Sequence, residues 1–162
     1  MTGQVKTMAK PNTAAAGPAE VEIVLMRVFN APRPRIFETW TSPQHLMRWW
    51  GPAGFSVPAW DADFRPGGKY RYCLRSPEGR DYWAEGVYRE IVVPERLVFT
   101  ASLDDEHGNR DILTTVTFAE QGTGKTRVMV HQSFTESHMT RGSLQGWAQS
   151  LDRFGEYLAS LS

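Results

Sequence analysis

The sequence predicts an α+β fold in which a curved antiparallel sheet of seven strands wraps around one long C-terminal helix, with two short helices after the first strand. Three observations carry that expectation. Residues 137–162 hold one uninterrupted apolar stripe: Leu144, Trp147, Ala148, Leu151, Phe154, Gly155 and Leu158 fall within an arc of roughly 120° at about 100° per residue. Upstream, residues 55–135 alternate extended runs with turn signals at hairpin spacing. The connections between those runs are short, whereas parallel pairing needs a crossover of about a dozen residues or more, so successive strands pair antiparallel.

The elements follow in order. Residues 21–29 are rich in β-branched and apolar side chains and stop at Asn30-Ala31-Pro32, which makes them the first strand. Pro32 and Pro34 fit a first helical turn but no deeper position, and Ile36, Phe37 and Trp40 mark one helical face. Thr41-Ser42-Pro43 ends this helix; with Ser42 as cap and Pro43 at the first position, a second short helix runs through Trp49. Trp50-Gly51-Pro52 closes the pair, and six strands follow over residues 55–65, 69–75, 82–92, 96–103, 112–119 and 126–134. Pro66-Gly67-Gly68 and Asp104 to Asn109 are among the turns between them. The terminal helix, about 24 residues and roughly 36 Å long, needs an apolar surface of that length, and the sheet needs a cover for its inner face. Arg141, Gln145, Gln149, Asp152, Arg153 and Glu156 take the side away from the stripe. A twisted sheet of this size curls, the helical pair plugs one open end, and an elongated space remains between sheet and helix.

Length and composition suit a single domain over residues 20–162 behind a disordered tail, residues 1–19. Eighteen Lys and Arg balance eighteen Asp and Glu, so no long-range field favours nucleic acid or an acidic membrane, and neither is expected as a partner. No stretch has the length of a membrane span, and residues 1–19 lack the apolar core of a secretion signal. The single cysteine, Cys73, read as buried, suits a reducing cytoplasm.

Six Trp, eight Phe and five Tyr are a high aromatic content for this length, enough to fill a core, line a cavity, or both. Tyr70 and Tyr72 share one sheet face, as do Leu97 and Phe99, by period-2 alternation. If that face is the inner one, the phenols put polar tips inside an apolar space; otherwise they are core tyrosines bonded to backbone. Of the adjacent Trp49 and Trp50, one indole points inward and the other sits at the cavity mouth, or both pack. Trp49, Trp50, Tyr70, Tyr72, Tyr88, Phe99, Trp147 and Leu151 are the candidate ligand-binding residues. Ala148 and Gly155 within the stripe allow either close approach of the sheet or room for a guest. Gly142 and Gly146 on the polar side suggest a mobile helix start that could gate the cavity.

Catalytic patterns are not found. His45, His107, His131 and His138 lack metal-ligand spacing, Gly122-Thr123-Gly124-Lys125 is a turn rather than a phosphate loop, and no nucleophile elbow occurs. No catalytic residue, metal or cofactor is assigned. Asp61, Asp63, Glu85 and Glu90, with Arg65, Arg71 and Arg89, form either solvated cross-strand ion pairs or a buried pair able to orient a polar ligand.

Several motifs in this order resemble the activator of Hsp90 ATPase homolog 1-like family, within the START and Bet v 1-like helix-grip group. They are Thr39-Trp40-Thr41-Ser42-Pro43, Trp49-Trp50-Gly51-Pro52 and Asp63-Phe64-Arg65-Pro66-Gly67-Gly68-Lys69-Tyr70. Gly86-Val87-Tyr88-Arg89-Glu90-Ile91, Pro94-Glu95-Arg96-Leu97-Val98-Phe99-Thr100, Gly146-Trp147, Leu151-Asp152-Arg153-Phe154 and Tyr157-Leu158 complete the set. The resemblance implies a helix-grip fold and a cavity more than an activity: members of the wider group bind lipids, hormones or polyketides, and some are cyclases or hydrolases. The eukaryotic co-chaperones carry a separate Hsp90-binding domain that residues 1–20 are too short to supply, so Hsp90 is not expected as a partner.

Three functions compete. One is a cytoplasmic module binding a small apolar or aromatic ligand. Another is a cyclase-like or hydrolase-like enzyme on such a ligand, which needs Asp63, Glu90 or His131 inside the cavity. The third is a protein-interaction or co-chaperone-like stress-response role, homodimerisation included, through an exposed apolar patch on the sheet's outer face or around Trp83 and Met139.

Overall fold

The seven expected strands all form, in one antiparallel sheet, and an eighth precedes them. The computed structural model describes residues 3–10, 20–103, 110–135 and 139–161. Along the chain these form β1 (Gly3–Lys10), β2 (Glu20–Phe29), α1 (Arg33–Thr41), α2 (Pro43–Trp49), β3 (Ser56–Ala62), β4 (Lys69–Arg75), β5 (Asp81–Val92), β6 (Arg96–Leu103), β7 (Arg110–Glu120), β8 (Thr126–Thr135) and α3 (Met139–Ser160). The sheet order is β1-β2-β8-β7-β6-β5-β4-β3. From β3 to β8 each strand pairs with the next in sequence, as short connections require, while β2 closes onto β8. The predicted turn at 104–109, with its His107, and the first residues of the expected long helix, Ser137 and His138, lie outside the described residues, as do the side chains of Met139, Arg141 and Gly142.

Strand β1 corrects the expectation of a disordered tail. Gly3 to Lys10 pair antiparallel with Arg27 to Glu20 along the free edge of β2. An edge strand is held by ladder hydrogen bonds and needs few buried side chains, so a polar composition did not exclude it. Its partner lies across residues 11–19, which are outside the described part.

Both short helices start at prolines, as the sequence implies. Pro32 takes the N-cap of α1 and Ser42 that of α2, but Ser42 makes no side-chain cap bond. The chain crosses through α1 and α2 from β2 to β3 at the far edge of the sheet.

Burial identifies the inner face. Ile23, Leu25 and Phe29 of β2, Val128 and Val130 of β8, Val116 and Phe118 of β7, Leu97 and Phe99 of β6, and Tyr70 and Tyr72 of β4 are all buried in one core cluster with Trp147, Leu151, Phe154 and Leu158 of α3. Phe154 is the hub where layers meet, edge-on to Phe29 at 5.0 Å, Trp40 at 5.2 Å and Trp49 at 4.8 Å. Ionic and polar ties outside the core fix α3 in register: Arg27 pairs with Asp152, and His45 Nδ1 lies 2.7 Å from the Tyr157 hydroxyl.

A bulge between Tyr88 and Glu90 shifts the register of β5 against β6. Before it, Tyr88 opposes the inward Phe99; after it, Ile91 opposes the inward Leu97. The extra residue therefore turns Glu90 away from the core and brings Ile91 into it.

Candidate functional site

Between the β4–β8 half of the sheet, the loop after α2 and the start of α3 lies a cavity of about 150 Å³. Tyr72, Phe99, Ile112, Thr114 and Gln132 reach it from the sheet. Gly146, Trp147 and Ser150 supply the helix wall, and Trp50, Gly51 and Pro52 the rim. A smaller space of about 20 Å³, room for one water, lies beside it among Trp40, Trp60, Phe64 and Tyr88, and shares Trp50, Tyr70 and Phe99 with the larger one.

Aromatic stacking sets the shape. Trp60 of β3 lies parallel to Tyr72 at 4.4 Å and to Tyr70 at 6.3 Å, and the two tyrosines, 6.2 Å apart, are parallel to each other. Trp50 stands edge-on to Tyr72, Trp60 and Trp147 at 5.9, 5.5 and 5.2 Å, and its indole N–H donates to the Tyr72 hydroxyl. Tyr70 crosses over Gly86, and its hydroxyl donates to the Thr100 carbonyl at 2.8 Å. A Cβ at position 86 would lie 1.8 Å from that carbonyl oxygen and 2.5 Å from the Tyr70 hydroxyl, so only glycine leaves the path open.

Polar contacts hold the rim. One guanidinium nitrogen of Arg153 donates to the carbonyls of Trp50, Gly51 and Pro52 at 3.2, 3.1 and 2.9 Å. Gln149 Oε1 accepts from the Ala53 N–H at 3.0 Å. Partial burial lowers the Arg153 pKa from its usual value.

Among the described residues the cavity walls carry no charged side chain. Their titratable groups are phenols, and burial pushes all three upward: Tyr88 to about 12, Tyr72 by burial against the Trp50 hydrogen bond, and Tyr70 by burial and its neighbours Tyr72 and Tyr88. These described walls are therefore neutral at physiological pH. Two buried polar atoms in these walls lack a hydrogen-bond partner, Trp60 Nε1 and Gln132 Oε1.

Of the eight candidate ligand-binding residues, Trp50, Tyr70, Tyr72, Phe99 and Trp147 line the larger cavity and Tyr88 the smaller. Trp49 and Leu151 line neither. Trp49 is fully buried and donates its N–H to the Thr39 carbonyl at 3.1 Å; Leu151 is fully buried in the core. Small residues of α3 do form a wall, but at Gly146 and Ser150 rather than Ala148 and Gly155. The helical arc had placed Gly146 on the polar side; the loop carrying Pro52 folds over that side, 3.9 Å from where a Cβ would stand.

The three titratable candidates for chemistry are elsewhere. Asp63 is exposed and 2.7 Å from Arg65, Glu90 is exposed and 3.4 Å from Arg96, and His131 is 3.5 Å from Glu22 on the face opposite Gln132. Asp61 and Glu85 likewise line an open, charged outer groove with Lys69 and Arg71. The exposed Trp83 of β5 carries the Arg71 guanidinium 4.1 Å above its ring. Among the described residues no group of three or more His, Cys, Asp or Glu could hold a metal ion, and no helix is long and apolar enough to cross a membrane.

Sequence reasoning missed Trp40, Trp60, Thr114 and Gln132. The last two carried a signal: they interrupt the inward rows Ile112-Thr114-Val116-Phe118 and Val128-Val130-Gln132, and they sit directly opposite each other across β7 and β8.

A curved antiparallel sheet gripping a long C-terminal helix over an aromatic-walled cavity defines a helix-grip protein. The chain belongs to the activator of Hsp90 ATPase homolog 1-like protein family, whose profile matches residues 30–159. Among solved structures, a protein from Chromobacterium violaceum is 29% identical with a TM-score of 0.76, over 83% of this chain and 94% of that one. The AHSA1 protein from Silicibacter pomeroyi is 26% identical with a TM-score of 0.72, over 87% of this chain and 99% of that one. A protein from Arthrobacter aurescens, at 24% identity and a TM-score of 0.76 over 94% of this chain and 91% of that one, shares the fold. No curated protein matches the chain significantly.

Proposed function

We propose that this protein binds a small apolar or aromatic molecule in the cavity between the sheet and α3, in a cytoplasmic setting where its one cysteine, the buried Cys73, stays a thiol. The observation that carries this reading is the wall itself: a neutral space of about 150 Å³ whose shape is set by stacked aromatic rings, with a few polar groups at defined points, the composition of small-molecule sites. Family membership supports it through the ligand-binding habit of helix-grip proteins; the family alone does not name a ligand.

The test is intrinsic tryptophan fluorescence titrated with flat aromatic and fatty-acyl compounds, with thermal melts in parallel. Trp50 and Trp147 border the cavity and Trp60 the smaller space beside it, so a guest changes their emission, and a ligand bound only by the native state raises the melting temperature. A saturable fluorescence change with a raised melting temperature is expected. Silence in both across the panel would overturn the reading.

A further inference from the structure

Gln132 is a buried amide in the larger cavity with one end paired and the other not. It is 6% exposed, and its Nε2 donates to Thr114 Oγ1 at 3.0 Å, itself on a fully buried residue. Its Oε1 is buried and accepts nothing. A buried carbonyl oxygen without a donor is destabilising, and such atoms persist where something else supplies the partner. Gln132 also follows the fully buried Val128 and Val130 on the inward row of β8. A leucine there would fill the same place without the orphaned oxygen.

Size and charge narrow what could supply the donor. An apolar cavity of about 150 Å³ accommodates a benzene-sized guest, and this one has that volume. With no charged side chain among the described residues of its walls, a carboxylate or ammonium would lose its hydration with no counter-ion there. Ring faces of Tyr72, Phe99 and Trp147 suit a flat molecule.

Resting on the ligand-binding reading above, we infer that the guest is an uncharged aromatic of about one ring bearing a hydrogen-bond donor, a phenol or an aromatic N–H, which the Gln132 side-chain carbonyl accepts. The terminal torsion of glutamine is broad, so the amide turns to meet the donor while Thr114 stays within reach.

Calorimetric titration of the intact protein with 4-methylphenol, 4-methylanisole, toluene and benzoate tests this, alongside the Gln132→Met variant. For the unsubstituted protein 4-methylphenol is expected to bind about tenfold more tightly than 4-methylanisole or toluene, the worth of one hydrogen bond to an otherwise unpaired group. Benzoate is expected not to bind. In Gln132→Met the preference for the phenol disappears while toluene still binds. Independently of any variant, the Gln132 side-chain amide resonances are expected to move with 4-methylphenol and hardly at all with 4-methylanisole. Equal binding of phenol and anisole, a preference that survives in Gln132→Met, or binding of benzoate as tight as that of the phenol would each overturn the inference and leave the cavity reading standing. Failure of every probe, toluene included, would remove the cavity reading and this inference with it.

Discussion

Filling the cavity from the sheet side trades binding for stability, and Ala101→Ile does so with the least disturbance elsewhere. Ala101 lines the cavity on β6, between Gly86 and Ile112 in the ladder. A void of about 150 Å³, if wholly dry, would cost about 3.6 kcal/mol at about 24 cal/mol per Å³. The rim is open, so water relieves part of that cost and the figure is a ceiling. Isoleucine adds three carbons to alanine, about 0.8 kcal/mol each when buried, less about 0.5–1 kcal/mol of lost rotamer freedom. The net gain is about 1.5 kcal/mol, and a β-branched residue suits the strand. At about 2–4 °C per kcal/mol for a chain of this size, the melting temperature rises by about 3–6 °C. Calorimetric melts and a 4-methylphenol titration measure both halves: higher stability, and at least a tenfold loss of affinity. A variant that melts several degrees lower yet binds the phenol normally would show that the space beside Ala101 is not the one a guest uses.

Three further outcomes follow from the same geometry. Gly86→Ala puts a methyl 1.8 Å from the Thr100 carbonyl oxygen, a backbone atom that cannot step aside, so a loss above about 3 kcal/mol is expected in denaturant unfolding; a melt like that of the unsubstituted protein would contradict it. Arg153→Met leaves the carbonyls of Trp50, Gly51 and Pro52 to solvent, at about 2 kcal/mol given partial rehydration, and hydrogen exchange should rise over residues 50–54 before it rises in the sheet. In alkali, burial holds the Tyr70, Tyr72 and Tyr88 pKa values above their unfolded value near 10. The folded state then binds more protons than the unfolded one once pH passes 10, so their contribution is intact below pH 10 and is lost as pH rises, by about 1.4 kcal/mol per pH unit for each tyrosine still protonated; phenolate absorbance should show these three ionising only with unfolding.

Element types and the antiparallel order were legible because they rest on local signals: two period-2 rows, the proline positions around α1 and α2, and the apolar stripe of α3. Three features needed partners that a local window does not contain. Strand β1 depends on an open edge of β2. The bulge after Tyr88 breaks the alternation by a single residue, so Glu90, a candidate for inward chemistry, ends outside while Ile91 goes in. The wall at Gly146 and Ser150 exists because the loop at Pro52 folds over a helix face that the arc alone assigns to solvent. The candidate aromatics were chosen by type, and type does not separate a wall from a core: Trp49 satisfies its N–H on the Thr39 carbonyl, and its neighbour Trp50 borders both cavities.

The two faces of α3 divide the work of the site. Trp147 of the apolar face and the adjoining Ser150 form the cavity wall, while Leu151, Phe154 and Leu158 anchor the same helix in the core. Gln149 and Arg153, on the polar side, take hold of the loop that forms the rim. A passage past Pro52 and Gly146 can therefore widen only if α3 tilts or the loop detaches. Tilting must separate Phe154 from Phe29, Trp40 and Trp49, whereas detaching the loop breaks a few partly solvated hydrogen bonds. Detaching the loop gives up the Arg153 and Gln149 bonds, each worth about 0.5–3 kcal/mol net, and leaves the Phe154 contacts of the core intact. Opening of the rim without disturbing the core thus runs through the Arg153 contacts, at the end of the cavity that Trp50 borders.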